Sequence, residues 1–467
     1  MNLFKDKQLS LVIIGLISGI IFSFSLGGVF LSLVIVFSGF LIWRSAEEED
    51  RKFLAFIFIG SIAVRISLYF IYTNISILSG KGGWLIGDAY GVYNYAWLYV
   101  QKLEGSRRFL INSLDNGRVY DDSQSFYNFF GGSYEKAINS FTYGNYGFHG
   151  FTMLLAYLFY IFGPMKFSGR LINILLGTLT GIFVYYIVKR IFGQKSAKIS
   201  AVLVTFFPSM FIWSLDFLKD PLYILMSIMI LWSFMMYWEK KNILYIVLIF
   251  LAVIIQTTIR KDLWLIGLIP FGLGFFLIPR LSLIKKTMVV TIGIAVIFCL
   301  HNRINYATVR TNIEKALQSH IGHVNTSYGH GGYAYKLLDD KYYPPVGYNV
   351  SNITWHEVVK AFLKGWYHFL FEPFVWDMKS IPMLMSFPQM ILWYLLIMFA
   401  IIGIAFGLRY NWKYTSIIIT SIFLLSSVIA LTSGNIGTLF RHRDMATPFY
   451  LIFSAVGIAH FLEKLEA

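Results

Sequence analysis

Carboxylates at the ends of apolar runs are the first residues of this sequence that could do chemistry. Asp88 follows an apolar run and opens a Tyr-rich stretch, while Asp216 and Asp220 flank Lys219 before another apolar run. A carboxylate so placed can take a proton from a hydroxyl group, and a second acid can orient a substrate or help to bind a metal ion. The alternative is a structural role, in which Asp88 caps a helix and Lys219 pairs with its acidic neighbours.

Basic residues at the ends of other apolar runs are the second feature. Arg260 and Lys261 end one run, and Arg441 and Arg443 stand between two long runs. A guanidinium group can hold a phosphate through two parallel hydrogen bonds, so these residues predict binding of a phosphate-bearing substrate. Binding of ordinary lipid headgroups is the alternative.

The composition identifies the class of protein that must position these groups. The chain has 467 residues, of which 57% are hydrophobic and 13% charged, about half the charge density of soluble proteins. This composition predicts a polytopic membrane protein. The formal net charge is +15, but the basic residues lie between apolar runs, so membrane lipids and a phosphate-bearing substrate are expected as partners, and nucleic acid is not. The single cysteine, Cys299, excludes an internal disulfide.

The apolar runs predict an all-α bundle of about 12 transmembrane helices, roughly 11 to 13, with both termini in the cytoplasm. The predicted runs are a hairpin over 9–43 and single runs over 53–73, 148–163, 170–188, 198–214, 220–238, 242–259, 263–278, 287–300, 387–408, 414–431 and 446–462. Basic turns between them, such as Lys189 with Arg190 and Arg409 with Lys413, are placed inside by the positive-inside rule. Run 148–163 is then either interfacial or re-entrant, or the charge rule fails at Lys189.

Two long segments, 74–146 and 301–386, are predicted outside, the second as a cap over the outer face with a helix over Trp355 to Leu370. Tyr90 and its aromatic neighbours suggest an interfacial helix, whose rings either stack on sugars or form an interfacial belt. In the second segment, His320, His323 and His330 match no zinc-ligand spacing, so a flexible polar loop is predicted and a metal site is not.

Within the run 53–73, Arg65 is predicted to pair inside the bundle, with a substrate pathway as the alternative.

Short motifs in a fixed order make the chain resemble the GT-C superfamily of membrane glycosyltransferases that use polyprenyl-phosphate sugars, particularly bacterial relatives of the family 39 protein mannosyltransferases. The motifs are Gly87-Asp88-Ala89, Arg170-Leu171-Ile172-Asn173 to Gly177, Lys189-Arg190-Ile191-Phe192-Gly193, Phe207-Pro208, Trp213-Ser214, Lys219-Asp220, Thr258-Ile259-Arg260, and Phe371-Glu372-Pro373-Phe374 with Trp376. The resemblance covers residues 53–462.

The chain is predicted to have four parts: an N-terminal hairpin, which is additional to the family pattern, a GT-C-like catalytic transmembrane module that contains the loop 74–146, an extracytoplasmic cap and C-terminal helices. Their ranges are 1–52, 53–300, 301–386 and 387–467. The resemblance implies an inverting transfer with Asp88 as general base, assisted by a second acid that matches Asp220 best and Asp216 next. Arginines of the outer face would grip the lipid phosphate, here Arg260 with Lys261 and Arg441 or Arg443.

The expected function is therefore transfer of a sugar from a polyprenyl-phosphate-linked donor to a lipid-linked or cell-surface glycan acceptor, outside a bacterial cytoplasmic membrane. Tyr90, Lys219 and Glu372 are candidate contacts to the sugar or acceptor. No cofactor is firmly implied, although Mg²⁺ or Mn²⁺ could assist. The alternatives are a polymerase of lipid-linked polysaccharide and a flippase or transporter of lipid-linked glycans. Transporters place polar groups near the membrane midplane and often contain internal repeats, and no repeat is visible here.

Overall fold

The computed structural model describes most of the chain as helix. The described residues are 25–78, 87–104, 109–110, 119–120, 149–166, 168–260, 269–270, 272–274, 306–329, 332–344, 350, 353–378 and 380–466. Lys261, His330 and Cys299 lie outside them, as do nearly all of the predicted runs 263–278 and 287–300. The described residues form two compact units.

The first unit contains the described residues up to Ile187, then Ala197–Ser233 and those from Ile243 to Arg260. Its helices are α1 (Leu26–Ser45), α2 (Glu48–Leu78), α3 (Gly87–Glu104), α4 (Gly150–Phe162), most of α5 (Leu171–Phe192), most of α6 (Gln194–Phe206), α7 (Pro208–Trp213), the first part of α8 (Asp220–Lys240) and α9 (Leu244–Ile259). Two short antiparallel strands, Phe109–Leu110 and Val119–Tyr120, also belong to it.

The second unit contains Val188–Ser196, Phe234–Asn242 and the described residues that follow the first unit. Its helices are α10 (Tyr306–Gly329), α11 (Trp355–Phe371), α12 (Ile381–Thr432), α13 (Ile436–Arg443) and α14 (Thr447–Glu466). Helix α11 begins at a capping box, in which Thr354 and Glu357 satisfy each other's backbone N–H groups. The helix begins at the predicted residue, Trp355, and ends one residue after the predicted end, Leu370.

Six helices among the described residues are long and apolar enough to cross a membrane. They span Leu26–Ser45, Glu48–Ser76, Ser168–Phe192, Asp220–Lys240, Met383–Thr432 and Thr447–Glu466. This confirms the prediction of an all-α membrane protein, while the count of about 12 stays a prediction. Helix α4 has only 13 residues and is about 20 Å long. Because this length is less than the apolar thickness of a bilayer, the structure favours the interpretation that the run 148–163 is re-entrant or interfacial.

Helix α12 is a hairpin of two helical segments. Its backbone breaks at Asn411, where φ is −148° and ψ is 69°. Trp393 and Ser426 both contact Tyr450, the first ring to ring and the second through its hydroxyl group. In a straight helix those two residues would lie about 50 Å apart, so the chain folds back at Asn411. The break falls between the two predicted runs and confirms them as separate helical segments.

Glycines let α14 lie directly against the first segment of α12. A Cβ atom on Gly403 would overlap the carbonyl oxygen of Phe453, and one on Gly457 would overlap the carbonyl oxygen of Phe399. Small residues of this kind let helix backbones approach closely in a bilayer, where packing drives helix association.

Gly457→Ala is therefore expected to destabilise the second unit, because its methyl group meets backbone that cannot rotate away. We expect a loss of about 1–3 kcal/mol, measured as thermal unfolding in detergent. Gly60→Ala is the matched control, since nothing lies within 4 Å of its added Cβ and alanine favours helix. Equal stability of the two variants would contradict close packing at Gly457.

Arg65 pairs inside the first unit, as predicted. Its side chain is 1% exposed and donates to the hydroxyl groups of Ser61 and Ser214 and to the carbonyl oxygen of Thr205. The guanidinium carbon also lies 4.4 Å from the centre of the Phe211 ring. These contacts bind the guanidinium group on all sides and connect α2 to α6 and α7. Arg65 therefore has a structural role.

The prediction of a flexible polar loop around His320 and His323 is wrong. Both residues lie in α10, a regular helix of 24 residues. The reason is a pattern of apolar residues at helical spacing, because Leu317, Ile321 and Val324 are all fully buried.

The two histidines bind backbone carbonyl groups. Nδ1 of His320 lies 2.9 Å from the carbonyl oxygen of Ser433, and Nδ1 of His323 lies 3.0 Å from that of Thr432. Burial lowers the pKa of His320 to about 4, so its imidazole is neutral at physiological pH. These bonds attach α10 to the end of α12.

Candidate active site

An acid and a base distant in sequence meet where α8 begins and α9 ends. Asp220 lies in the first turn of α8 and is 1% exposed. Arg260 is the C-terminal cap of α9, and its Nη2 donates to Oδ1 of Asp220 at 3.1 Å. The arginine side chain keeps 17% of its surface exposed, against 2% for the carboxylate. The pair thus buries its negative member and leaves the arginine partly exposed.

His149 lies close to the same pair and was missed from the sequence. It is the N-terminal cap of α4, where its Nδ1 accepts a hydrogen bond from Thr152 N at 3.2 Å. Burial and the positive charge of Lys219 lower the pKa of His149 to about 3. The ring is therefore neutral at physiological pH, with its proton on Nε2. Its place directly before an apolar run was the signal that could have identified it.

Asp216 has a different environment from Asp220. Its carboxylate is fully buried, and Oδ1 accepts from Nε of Arg170 at 2.8 Å and from Phe217 N at 3.0 Å. The Arg170 guanidinium lies 5.1 Å from the centre of the Tyr69 ring and 5.0 Å from that of Phe217. The ion pair is therefore enclosed by aromatic rings, so Asp216 is poorly placed to exchange a proton with a substrate.

Asn173 holds the backbone at Asp216 and just after it. Its side-chain amide donates to the carbonyl oxygens of Asp216 and of Leu218, the latter at 2.8 Å. Arg170, Asn173 and Asp216 together form what we term the positioning clamp. Arg170 and Asn173 together bind three oxygen atoms of the segment that leads into Lys219 and Asp220: the Asp216 carboxylate and the carbonyl oxygens of Asp216 and Leu218. The clamp therefore fixes the position of this segment.

The helix that carries Asp88 contacts the same turn. Asp88 lies in the first turn of α3 and is exposed, where the helix dipole stabilises a negative charge. Further along α3, the Tyr93 ring lies 5.7 Å from the ring of Phe217, the residue after Asp216. Asp88 is thus accessible and carried by a helix that packs on the clamped turn.

Tyr90 and a small crevice are two further features of the first unit. Tyr90 follows Asp88 on α3 and is partly buried, and its carbonyl oxygen accepts from the Asn94 side chain at 2.8 Å. A small crevice opens beside Asp220. It is lined by Gly177, Thr180, Met210, Trp213, Asp220, Pro221 and Ile224.

In the second unit, Arg443 is occupied by protein contacts. It is 3% exposed, and its Nη2 donates to the carbonyl oxygen of Glu372. Its guanidinium carbon lies 5.4 Å from the centre of the Trp393 ring and 5.8 Å from that of Phe369. Burial lowers the pKa of Arg443 to about 10. Arg441, two residues earlier, is only partly buried and is the more accessible of the two for a phosphate.

Glu372 follows α11 and is buried, with Oε1 lying 3.1 Å from Nδ1 of His368. For metal binding, the described residues contain one group of acids with suitable spacing, Glu47, Glu49 and Asp50 at the start of α2. The topology predicted from the positive-inside rule puts that group on the cytoplasmic side. An assisting Mg²⁺ or Mn²⁺ ion therefore stays a prediction, as does the gathering of Asp88 and Arg260 with the arginines of 441–443.

A known protein family matches the part of the chain that contains these first-unit residues. Residues 150–303, about a third of the sequence, match the family described as dolichyl-phosphate-mannose-protein mannosyltransferase. No curated protein matches the chain. The matched segment contains the positioning clamp, Asp220 and Arg260, whereas Asp88 and Glu372 lie outside it. The resemblance predicted from the motifs is confirmed there.

Proposed function

We propose that this protein transfers a sugar from a polyprenyl-phosphate-linked donor to an extracytoplasmic acceptor. The matched segment indicates a membrane glycosyltransferase of the GT-C type. The acceptor is a cell-surface or lipid-linked glycan. The observation that carries the proposal is the family match over the segment in which Arg260 meets Asp220. A protein mannosyltransferase family uses a lipid-phosphate sugar, and an accessible arginine beside a buried acid suits such a phosphate.

The reaction is an inverting displacement. The acceptor hydroxyl oxygen attacks the anomeric carbon as its proton passes to the carboxylate of Asp88, and the bond from that carbon to the phosphate oxygen breaks. The electron pair of that bond leaves with polyprenyl phosphate. A general base suits the first event, and fixed cations suit the second because negative charge builds up on the departing phosphate.

Arg260 and Lys261 are the residues proposed to hold the phosphate, and a contribution from Arg441 stays a prediction. The partial exposure of Arg260 supports its inclusion, and the burial of Arg443 argues for placing that arginine in a supporting role. Asp220 orients Arg260 through their 3.1 Å hydrogen bond and so assists indirectly. Asp216 belongs to the positioning clamp, which holds the turn before Asp220.

Tyr90 and Lys219 are proposed as contacts to the sugar or acceptor. Tyr90 lies on the helix of Asp88, and Lys219 lies next to Asp220. The proposed location is a bacterial cytoplasmic membrane, with the reaction on its outer face. The proposal requires no cofactor, although Mg²⁺ or Mn²⁺ bound to the phosphate could assist.

A polymerase that extends a glycan on a diphosphate-linked lipid is the second candidate function, since it needs the same basic surface. A flippase or transporter of lipid-linked glycans is the third. The transporter receives less support because a transport pathway needs polar groups that can bind the substrate within the membrane. Arg65, the charged residue within the run 53–73, is instead bound to protein groups.

The three candidates differ in their products. We expect the purified protein in lipid nanodiscs, given a polyprenyl-phosphate sugar and membrane glycans, to add one sugar to the acceptor and release an equimolar amount of polyprenyl phosphate. Mass spectrometry of both products tests this. Block transfer with release of polyprenyl diphosphate would instead establish a polymerase, and movement of intact lipid-linked glycan would establish a transporter.

A further inference from the structure

A carboxylate and an imidazole form a fixed pair at the end of α11. His368 and Glu372 lie four residues apart, and Nδ1 of the histidine is 3.1 Å from Oε1 of the glutamate. The second carboxylate oxygen accepts from Phe374 N at 3.2 Å. With its Nδ1 bound to the carboxylate, the imidazole can present Nε2 to a ligand, and 18% of the His368 side chain is exposed.

Exposed aromatic rings continue directly from this pair. The Trp376 ring stacks on Phe374 with centres 5.2 Å apart and planes 20° apart. Phe374 also lies 5.4 Å from the ring of Tyr367 and 5.9 Å from that of His368. Trp376 is 70% exposed and Tyr367 is 51% exposed. We term Tyr367, Phe374 and Trp376 the aromatic platform.

The backbone beneath the platform is held by side chains from other helices. Trp393 Nε1 donates to the carbonyl oxygen of Leu370 at 2.9 Å, and the Tyr394 hydroxyl donates to that of Phe371 at 2.7 Å. The Arg443 guanidinium donates to the carbonyl oxygen of Glu372. Three consecutive carbonyl groups are therefore satisfied by protein donors, so the platform and the His368–Glu372 pair keep one fixed geometry.

An aromatic face beside a polar pair matches the chemistry of a sugar ring. A pyranose presents C–H groups on one face, which pack on an aromatic ring, and hydroxyl groups at its rim, which bind carboxylate and imidazole. An aromatic belt at the membrane interface would account for Trp376 alone. It gives no reason for a buried carboxylate that holds an imidazole next to the rings, because burying such a group is costly.

We infer that the aromatic platform and the His368–Glu372 pair form a subsite for one pyranose ring of the glycan substrate. The inference rests on the proposed function for the source of that ring, which is either the donor sugar or the acceptor. Its recognition chemistry is the same in both cases: stacking on Trp376 and hydrogen bonding to His368, whose imidazole Glu372 holds in place.

The test measures sugar binding without turnover. Protein in lipid nanodiscs is mixed with methyl glycosides of glucose, mannose, galactose and N-acetylglucosamine, and saturation-transfer NMR follows the ring protons. We expect transfer to at least one glycoside, weakened about tenfold by Trp376→Ala and lowered by Glu372→Gln. Trp355→Ala is the matched control, because Trp355 is also exposed, at 47%, and lies at the other end of α11.

Equal signals from the Trp376 and Trp355 variants, or no transfer to any glycoside, would overturn the subsite. Trp376 is exposed, so its variant should fold even if Glu372→Gln does not. In transfer assays, a raised KM for the acceptor alone identifies the acceptor as the source of the ring, and a raised KM for the lipid-phosphate sugar identifies the donor. Sugar binding with no transfer activity would retain the subsite and reject the proposed function.

Discussion

Replacing Asp88 by asparagine is expected to lower the initial rate of sugar transfer by at least about 100-fold, because a positioned general base contributes about 10²–10⁴-fold to such a step. The amide has the shape of the carboxylate but cannot accept the proton of the attacking hydroxyl group. Asp88 is exposed in the first turn of α3, so the variant should fold and insert normally. The rate is measured with a labelled polyprenyl-phosphate sugar in nanodiscs.

Two further variants separate catalysis from helix stabilisation at this position. Asp88→Ser keeps a residue suited to the start of a helix but removes the base, and it should be as inactive as Asp88→Asn. Glu104→Gln, at the opposite end of α3 and also exposed, should retain full activity. A near-normal rate in Asp88→Asn would eliminate the proposed mechanism, and activity in Asp88→Ser alone would assign Asp88 to helix stabilisation.

Removing the charge of Asp216 is expected to cost about 3–5 kcal/mol of stability, since it takes from the buried Arg170 guanidinium the carboxylate to which it is bonded. Turnover should fall as well, because the turn before Asp220 loses an anchor. Thermal unfolding of Asp216→Asn in detergent measures the first effect and the transfer assay measures the second. A positioning role predicts a lower kcat with little change in the donor KM.

The double variant Arg170→Met/Asp216→Asn tests the pairing itself. Removing both charges should restore part of the stability lost in Asp216→Asn, because no uncompensated charge then remains. Glu466→Gln breaks the ion pair with Lys195, whose side chains are 36% and 68% exposed, and should cost less than about 1 kcal/mol. An Asp216→Asn variant as stable as Glu466→Gln would show that the positioning clamp contributes nothing.

The sequence determined the class of the protein and the limits of several helices. A bilayer leaves no water for unpaired backbone groups, so long apolar runs in such a chain must be helical. This rule predicted α5, α8, α14 and the break of α12 near Asn411, and a capping box marks the start of α11. Arg65 could be assigned to the interior for the same reason, since a charge within an apolar span needs partners there.

The tertiary structure decided which acid binds which base. Asp216 and Asp220 are four residues apart, yet one is bonded to Arg170 and the other to Arg260. His149 near Asp220, the helix around His320 and the burial of Arg443 likewise required coordinates. The physical reason is that hydropathy reports only the transfer of a segment into lipid. The partners of a side chain depend on which helices become neighbours, and that is set by close packing at residues such as Gly403 and Gly457.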